Sequence, residues 1–261
     1  MPSPVEFYRR VLRTFRHADL PFLIGGTYAM ARYTLIDRKT KDLDLMIRRE
    51  DWPEAARALR AAGIYTRLSF PHWLGKAIQG DALVDIIFNS GNAVTSVDDL
   101  YFERAVPARV LGFNVLLCPP EELLWSKAFV MERERFDGAD VLHLILTCGR
   151  TFDWAHLCER FRGHEPILLA HLTMFSYVYP SEARVVPRWV MRRLEQARDP
   201  APGGVRLCRG TQLSRAQYLV DLEKWGFIDA RLPPYGTLKP REAAIWTGAI
   251  RSHWSRRAAR R

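Results

Sequence analysis

Two aspartates one residue apart, Asp42 and Asp44 in the run Asp42-Leu43-Asp44-Leu45-Met46-Ile47, are the residues whose types and spacing most directly permit chemistry. Leu43, Leu45 and Ile47 alternate with them, and this period of two predicts a strand with both carboxylates on one face and the aliphatic side chains on the other. Their Cα atoms would lie about 6.6 Å apart, so the two hard oxygen donors can share a divalent cation or bridge a pair of them. Two ions about 3.5–4 Å apart stabilise both the attacking and the leaving oxygen of an in-line phosphoryl displacement. Two carboxylates are few for two ions, so a third acid is expected from a neighbouring strand. Asp85 fits: it stands in Leu83-Val84-Asp85-Ile86-Ile87-Phe88, an apolar run that must be buried, where a lone carboxylate is costly unless a cation meets it. A structural ion pair would satisfy the same carboxylate, and Asp85 alone does not separate the two.

A phosphate-binding turn is expected beside these acids. Gly25 and Gly26 follow the short apolar run Phe22–Ile24, and Thr27 to Tyr33 resumes with helix formers, which reads as strand, glycine turn, helix. Glycines let the backbone approach a ligand closely, and the free N–H groups that open the next helix suit a triphosphate. Arg38, Lys39 and Lys41 surround Thr40 just before Asp42 and can neutralise phosphate charge. A solvated basic loop is the plainer reading of that cluster. No GxGxxG and no Gly-Lys-Ser/Thr occurs, so the Rossmann and P-loop routes to phosphate are not supported.

The elements that must position these residues are legible in outline. Val5–Ala18 has apolar residues at helical spacing, and Asp51–Ala62 reads as a helix with Asp51 as N-cap. Short strands are predicted at Tyr65–Ser69, Lys76–Gln79, Leu83–Phe88, Ala105–Val110 and Phe113–Cys118. After Pro119-Pro120 the pattern turns helical: Glu121–Glu134, Asp137–Thr147, Trp154–Arg162, Pro166–Tyr179 and Arg188–Ala197. Strands first and helices later indicate an α+β fold, a mixed β-sheet core flanked by helices and followed by a helical C-terminal region. The expected domains are 1–118 as the core, 119–198 as a helical domain completing the cleft, and 199–261 as linker and basic extension. Asp199–Gly204 supplies the linker, Ser214–Trp225 an amphipathic helix, and Trp254–Arg261 a basic tail.

The 261 residues, 48% of them hydrophobic, support a sizeable core, and a net charge of +10 raises nucleic acid and nucleotides among the partners. Cys118, Cys148, Cys158 and Cys208 form no CxxC pair and read as reduced thiols of a cytoplasmic protein. The first twenty residues lack a signal-peptide pattern, and the longest apolar run, Ile167–Tyr179, is short for the roughly 20 residues that span a bilayer. It reads as a buried helix, and no membrane association is expected. His143 reads as a core residue, and Trp73, Tyr101 and Phe102 as packing rather than base-stacking aromatics.

Gly25-Gly26, then Arg38-Lys-Thr-Lys-Asp42-Leu-Asp44, then the buried Asp85, resemble the DNA polymerase β-type nucleotidyltransferase superfamily, whose pattern is a hydrophobic-Gly-Gly/Ser turn, Asp-x-Asp and a third acid. The small bacterial branch with AbiEii-like toxins is similar further along, through Pro120-Glu-Glu-Leu-Leu-Trp-Ser-Lys127 and Arg135-Phe-Asp137-Gly-Ala-Asp140-Val. The resemblance covers roughly residues 20 to 147. It implies a nucleotidyltransferase-type core, and Asp42, Asp44 and Asp85 as catalytic metal ligands for Mg2+, two ions, with Mn2+ as a substitute. It further implies nucleotide contacts from Gly25, Gly26, Thr27, Arg38, Lys41 and Lys127, and a supporting acid at Asp137 or Asp140. The implied reaction moves a nucleoside monophosphate from an NTP such as ATP to an acceptor hydroxyl, with pyrophosphate leaving. The basic charge favours an RNA acceptor such as the 3′ end of tRNA; aminoglycoside-type antibiotics and protein side chains stay open. A toxin with an antitoxin partner is a further reading, and a catalytically inactive module binding nucleic acid or a protein partner is the alternative.

Overall fold

The computed structural model describes residues 3–197 and 204–258. The chain divides into two units, Met1–Gly91 with Thr95–Pro119, and Asn92–Val94 with Pro120–Arg261.

The first unit opens with α1 (Pro4–His17). Ser3 and Glu6 close a capping box, in which each side chain accepts a hydrogen bond from the other's backbone N–H, and Pro4 stands in the first turn where its missing donor is not needed. Then come β1 (Leu23–Ile24), α2 (Gly26–Thr34), β2 (Asp42–Met46), α3 (Trp52–Ala61), β3 (Tyr65–Phe70), β4 (Leu74–Gln79), β5 (Ala82–Ile87), α4 (Asp99–Glu103), β6 (Val106–Val110) and β7 (Phe113–Leu117). Asp51 occupies the predicted cap position of α3 but makes no side-chain cap bond, because a 3-10 turn over Arg49–Asp51 leads into the helix. The short helix α4 is absent from the sequence reading; at five residues it carries no periodic signal.

The seven strands form one mixed sheet in the order β3-β4-β5-β2-β1-β7-β6, with β2/β5 and β1/β7 parallel and the other pairs antiparallel. The antiparallel pair β1/β2 and the parallel pair β2/β5 place the acid-bearing β2 between β1, which ends in the glycine turn, and β5, which carries Asp85. Two-residue loops fix the register of the β4/β5 and β6/β7 hairpins. Gln79 pairs with Ala82 around Gly80-Asp81, and Val110 pairs with Phe113 around Leu111-Gly112, where φ is 51° and 87°. One face of the sheet is covered by α1 and α3: Phe7, Leu12, Phe15, Trp52, Ala56 and Leu59 pack on Leu43, Leu45, Val84 and Ile86. The side chains left on the other face of β2 and β5 are those that carry the chemistry.

The second unit contains α5 (Pro120–Ala128), α6 (Gly138–Cys148), α7 (Trp154–Arg160), α8 (Glu165–Val178), α9 (Arg188–Gln196), β8 (Leu207–Cys208), α10 (Leu219–Glu223), β9 (Ile228–Asp229) and α11 (Pro240–Ala258). The helix expected over Glu121–Glu134 stops at Ala128. Met131 N donates to Leu213 O, Met131 and Phe136 form an antiparallel bridge, and Glu132 meets Ser214 and Arg215, so contacts distant in sequence draw this charged segment out of helical geometry. Ser214–Trp225 is helical only over Leu219–Glu223, since Ser214 spends its hydroxyl on Glu132 and on the N–H of Gln217. The apolar run Ile167–Tyr179 does form α8, but buries a stripe, Leu168, His171, Leu172 and Phe175, while Tyr177 faces solvent. Linker positions 199–203 and tail positions 259–261 lie outside the described residues, and the intervening tail, Trp254–Ala258, belongs to α11. Among the described residues no helix is long and apolar enough to cross a membrane. All four cysteines are free and buried.

Candidate functional site

Register decides which acids meet. In the parallel pair β2/β5, Asp44 stands directly opposite Asp85, and Asp42 opposite Leu83. Leu43 and Leu45 are fully buried, as are Val84 and Ile86 on β5, so Asp42, Asp44 and Asp85 project from the opposite face. Thr40 steadies the first acid, donating its hydroxyl to Asp42 Oδ1 at 2.8 Å. Arg38, Lys39 and Lys41 are exposed on the loop leading into β2.

The glycine turn is built against the second acid. Gly25 N donates to Asp44 O at 3.0 Å, which ties the end of β1 to β2. Gly26 opens α2 with φ of +52°, and a Cβ placed on it would stand 1.6 Å from Asp44 Oδ2. Both conditions exclude any side chain there. Thr27 follows in the first turn of α2.

Lys76 escaped the sequence reading. It lies opposite Asp85 in the antiparallel pair β4/β5, and its ammonium is 2.5 Å from Asp85 Oδ1. Lys76, Asp85 and Asp44 thus form one rung across three strands. The signal was available: a two-residue loop at Gly80-Asp81 pairs Gln79 with Ala82, and counting back three places brings Lys76 to Asp85. Burial raises the Asp85 pKa, the bond and charge of Lys76 oppose that shift, and the nearby charge of Asp42 adds to it. Tyr8 and Tyr28 also went unmarked. Burial raises both phenols, and Tyr8 further feels Tyr28, Asp42 and Asp44, so it remains a neutral group near the acids.

The donor chemistry fits a hard divalent cation: carboxylate oxygens on one face, with a glycine turn beside them. Among the described residues, however, no three His, Cys, Asp or Glu side chains converge closely enough to hold a metal as they stand. Asp85 is bonded to Lys76, so its participation requires release from that lysine.

In the second unit, Lys127 donates to Asp137 Oδ2 at 3.1 Å and to Asp140 Oδ2 at 2.8 Å, and Arg135 closes on Asp137 with two bonds of 2.8 Å. Both acids therefore meet the lysine, where the sequence left a choice between them. Burial works to raise the Asp137 pKa, but the Arg135 bond and the Lys127 charge outweigh it and hold the carboxyl below its ordinary value. The remaining residues singled out are placed more plainly. His72 Nε2 is 3.1 Å from Gly91 O, Trp73 stacks on Phe70, and Tyr101 is core. Phe102 lies under the Arg48 guanidinium, and His143 is half-buried on α6. A groove of about 710 Å³ lined by Arg16, Phe22, Phe102 and the outer strands β6 and β7 lies on the far side of β1 from the acids.

Residues 8–86, which include the glycine turn and all three acids, match the family model of aminoglycoside-2''-adenylyltransferase. The match over this stretch indicates a nucleotidyltransferase enzyme. Enzymes of this class move a nucleoside monophosphate from an NTP to a hydroxyl and depend on a divalent cation. Among solved structures the chain is similar to the solution structure of the antibiotic-resistance factor ANT(2'')-Ia, at 17% identity and a TM-score of 0.44, over 69% of this chain and 97% of that one. It is also similar to the crystal structure of ANT(2'')-Ia in complex with adenylyl-2''-tobramycin, at 16% identity and a TM-score of 0.38, over 73% of this chain and 96% of that one. Against curated proteins the sequence gives no match. The family model matched is that of an aminoglycoside adenylyltransferase, so the AbiEii-like branch finds no support, nor do the toxin role, the antitoxin partner and the RNA acceptor that went with it.

Proposed function

We propose that this nucleotidyltransferase transfers an adenylyl group from ATP to a hydroxyl of an aminoglycoside. The observation that carries the reading is the match of residues 8–86 to the aminoglycoside-2''-adenylyltransferase model, spanning the stretch in which Asp44 and Asp85 stand opposite each other beside Gly26. The net charge of +10, which favoured RNA, is a property of the whole chain. A polycationic amino sugar responds to the local potential, and Asp42, Asp44 and Asp85 supply negative charge on one face.

In this reading Asp42, Asp44 and Asp85 would hold Mg2+, one ion or two. A bound divalent ion would supply charge stabilisation to the triphosphate. Gly26 and Thr27 offer backbone N–H groups to the phosphates, Gly25 lets the turn approach them closely, and Arg38 and Lys41 add positive charge. The acceptor oxygen attacks the α-phosphorus, the bond from that phosphorus to the bridging oxygen of the β-phosphate breaks, and pyrophosphate departs with the electron pair. The acceptor's proton passes to a carboxylate of this cluster.

The test is incubation with ATP, Mg2+ and a panel of aminoglycosides including tobramycin, followed by mass spectrometry for gain of one AMP. Transfer should stop with a chelator and with Asp44→Asn. Labelling of tRNA in a parallel reaction, with every aminoglycoside unmodified, would replace this acceptor by RNA.

A further inference from the structure

Lys76 has no part in the reaction as written, yet it occupies the rung that the reaction uses. Its side chain is 19% exposed and that of Asp85 16%, so each is held largely out of water and each satisfies the other. Adjacent strands lie about 4.8 Å apart, which puts the Lys76 and Asp44 backbones only about 10 Å from each other across β5. A cation fixed at this place neutralises the same carboxylate that a divalent ion would claim.

We propose that Lys76 is an internal stand-in for the metal: its ammonium holds the Asp85 carboxylate in place until a divalent ion takes that carboxylate from it. The inference rests on the reading of Asp42, Asp44 and Asp85 as metal ligands. It follows that the free protein binds a divalent ion weakly, because the ion must displace an ion pair already made and sit near the ammonium that remains. A triphosphate arriving with the ion adds the negative charge that shifts the balance, so metal and nucleotide bind more tightly together than either does alone.

Mn2+ binding to the full chain, followed by electron paramagnetic resonance without nucleotide, tests this. Lys76→Met removes the competitor and should tighten Mn2+ binding about tenfold, which corresponds to about 1.4 kcal/mol. Lys76→Gln, which keeps a hydrogen-bond donor for Asp85 if the methionine variant does not fold, should move in the same direction. Lys76→Arg keeps the charge and should stay close to wild type. In an Asp85→Asn background the Lys76→Met change should alter affinity by less than about twofold, because the partner through which the lysine acts is gone. Unchanged or weaker Mn2+ binding in folded Lys76→Met or Lys76→Gln protein would overturn the proposal, as would an equal gain with and without Asp85. A wild-type protein that binds no Mn2+ even with ATP would overturn the metal-site reading itself, and this inference with it.

Discussion

Gly26 and Asp44 share a space that neither could keep if Gly26 carried a side chain. The φ of +52° costs an L-residue about 1–2 kcal/mol, and the carboxylate oxygen 1.6 Å from the would-be Cβ leaves no volume for a methyl group. Gly26→Ala should therefore displace Asp44 rather than simply destabilise the turn. A displacement of this order lowers turnover on the order of 100-fold, while the far-UV spectrum should be unchanged. Steady-state kinetics on the proposed adenylyl transfer reads it, and a variant with normal turnover would show that Asp44 does not need its observed position. The acids were legible from the sequence because a period of two assigns faces without knowing the partner strand. Lys76 was passed over for the opposite reason: a lysine in a strand is common on solvated faces, and only its register partner gives it meaning.

At the scale of elements, the antiparallel pairing of β2 with β1 and its parallel pairing with β5 carry the site, and buried charge pins the helices of the second unit. Glu122 on α5 is fully buried; His156 Nε2 lies 2.6 Å from Glu122 Oε1, and Arg160 Nε donates to the same oxygen at 3.0 Å, both from α7. The Arg160 guanidinium also covers Trp125 at 4.9 Å. Removing one partner of such a buried set leaves the others uncompensated, so Glu122→Ala should cost about 3–5 kcal/mol, measured by urea unfolding. Glu122→Gln keeps the shape and should recover part of that loss; equal stability of all three proteins would contradict the argument. Helix ends were the least legible feature. Glu121–Glu134 reads as one helix on local propensity, and it ends at Ala128 because Leu213, Ser214 and Arg215, more than eighty positions on, claim Met131 and Glu132.

For the molecule as a whole, pH is the sharpest probe, because four buried groups of the second unit bias stability in one direction. Burial lowers the pKa of His171, partly offset by its bond to Ala128 O, and lowers that of His164, with Arg209 adding to the effect. The unfolded chain gains protons at these rings as pH falls through 6.5 while the native protein does not, so stability declines below that value. Asp137 and Asp229 are held below 3.8, because bonds from Arg135, Lys127, Arg231 and Thr211 outweigh their burial. Their contribution is present above 3.8 and is lost as pH falls through the depressed native values. Asp85 in the first unit is raised and has the opposite sign. The urea midpoint of the second unit should thus begin to fall near pH 6.5 and again below pH 3.8, and a level midpoint between about pH 8 and pH 5 would contradict the assignment of the histidines. By itself the sequence determined the strand and its two aspartates, the glycine turn, the third acid and the order of strands before helices, since periodicity and turn chemistry are local. Only the tertiary structure decided that Asp85 faces Asp44 and that Lys127 meets both Asp137 and Asp140. Those pairings are set by strand register and helix packing, which join residues that no local pattern connects.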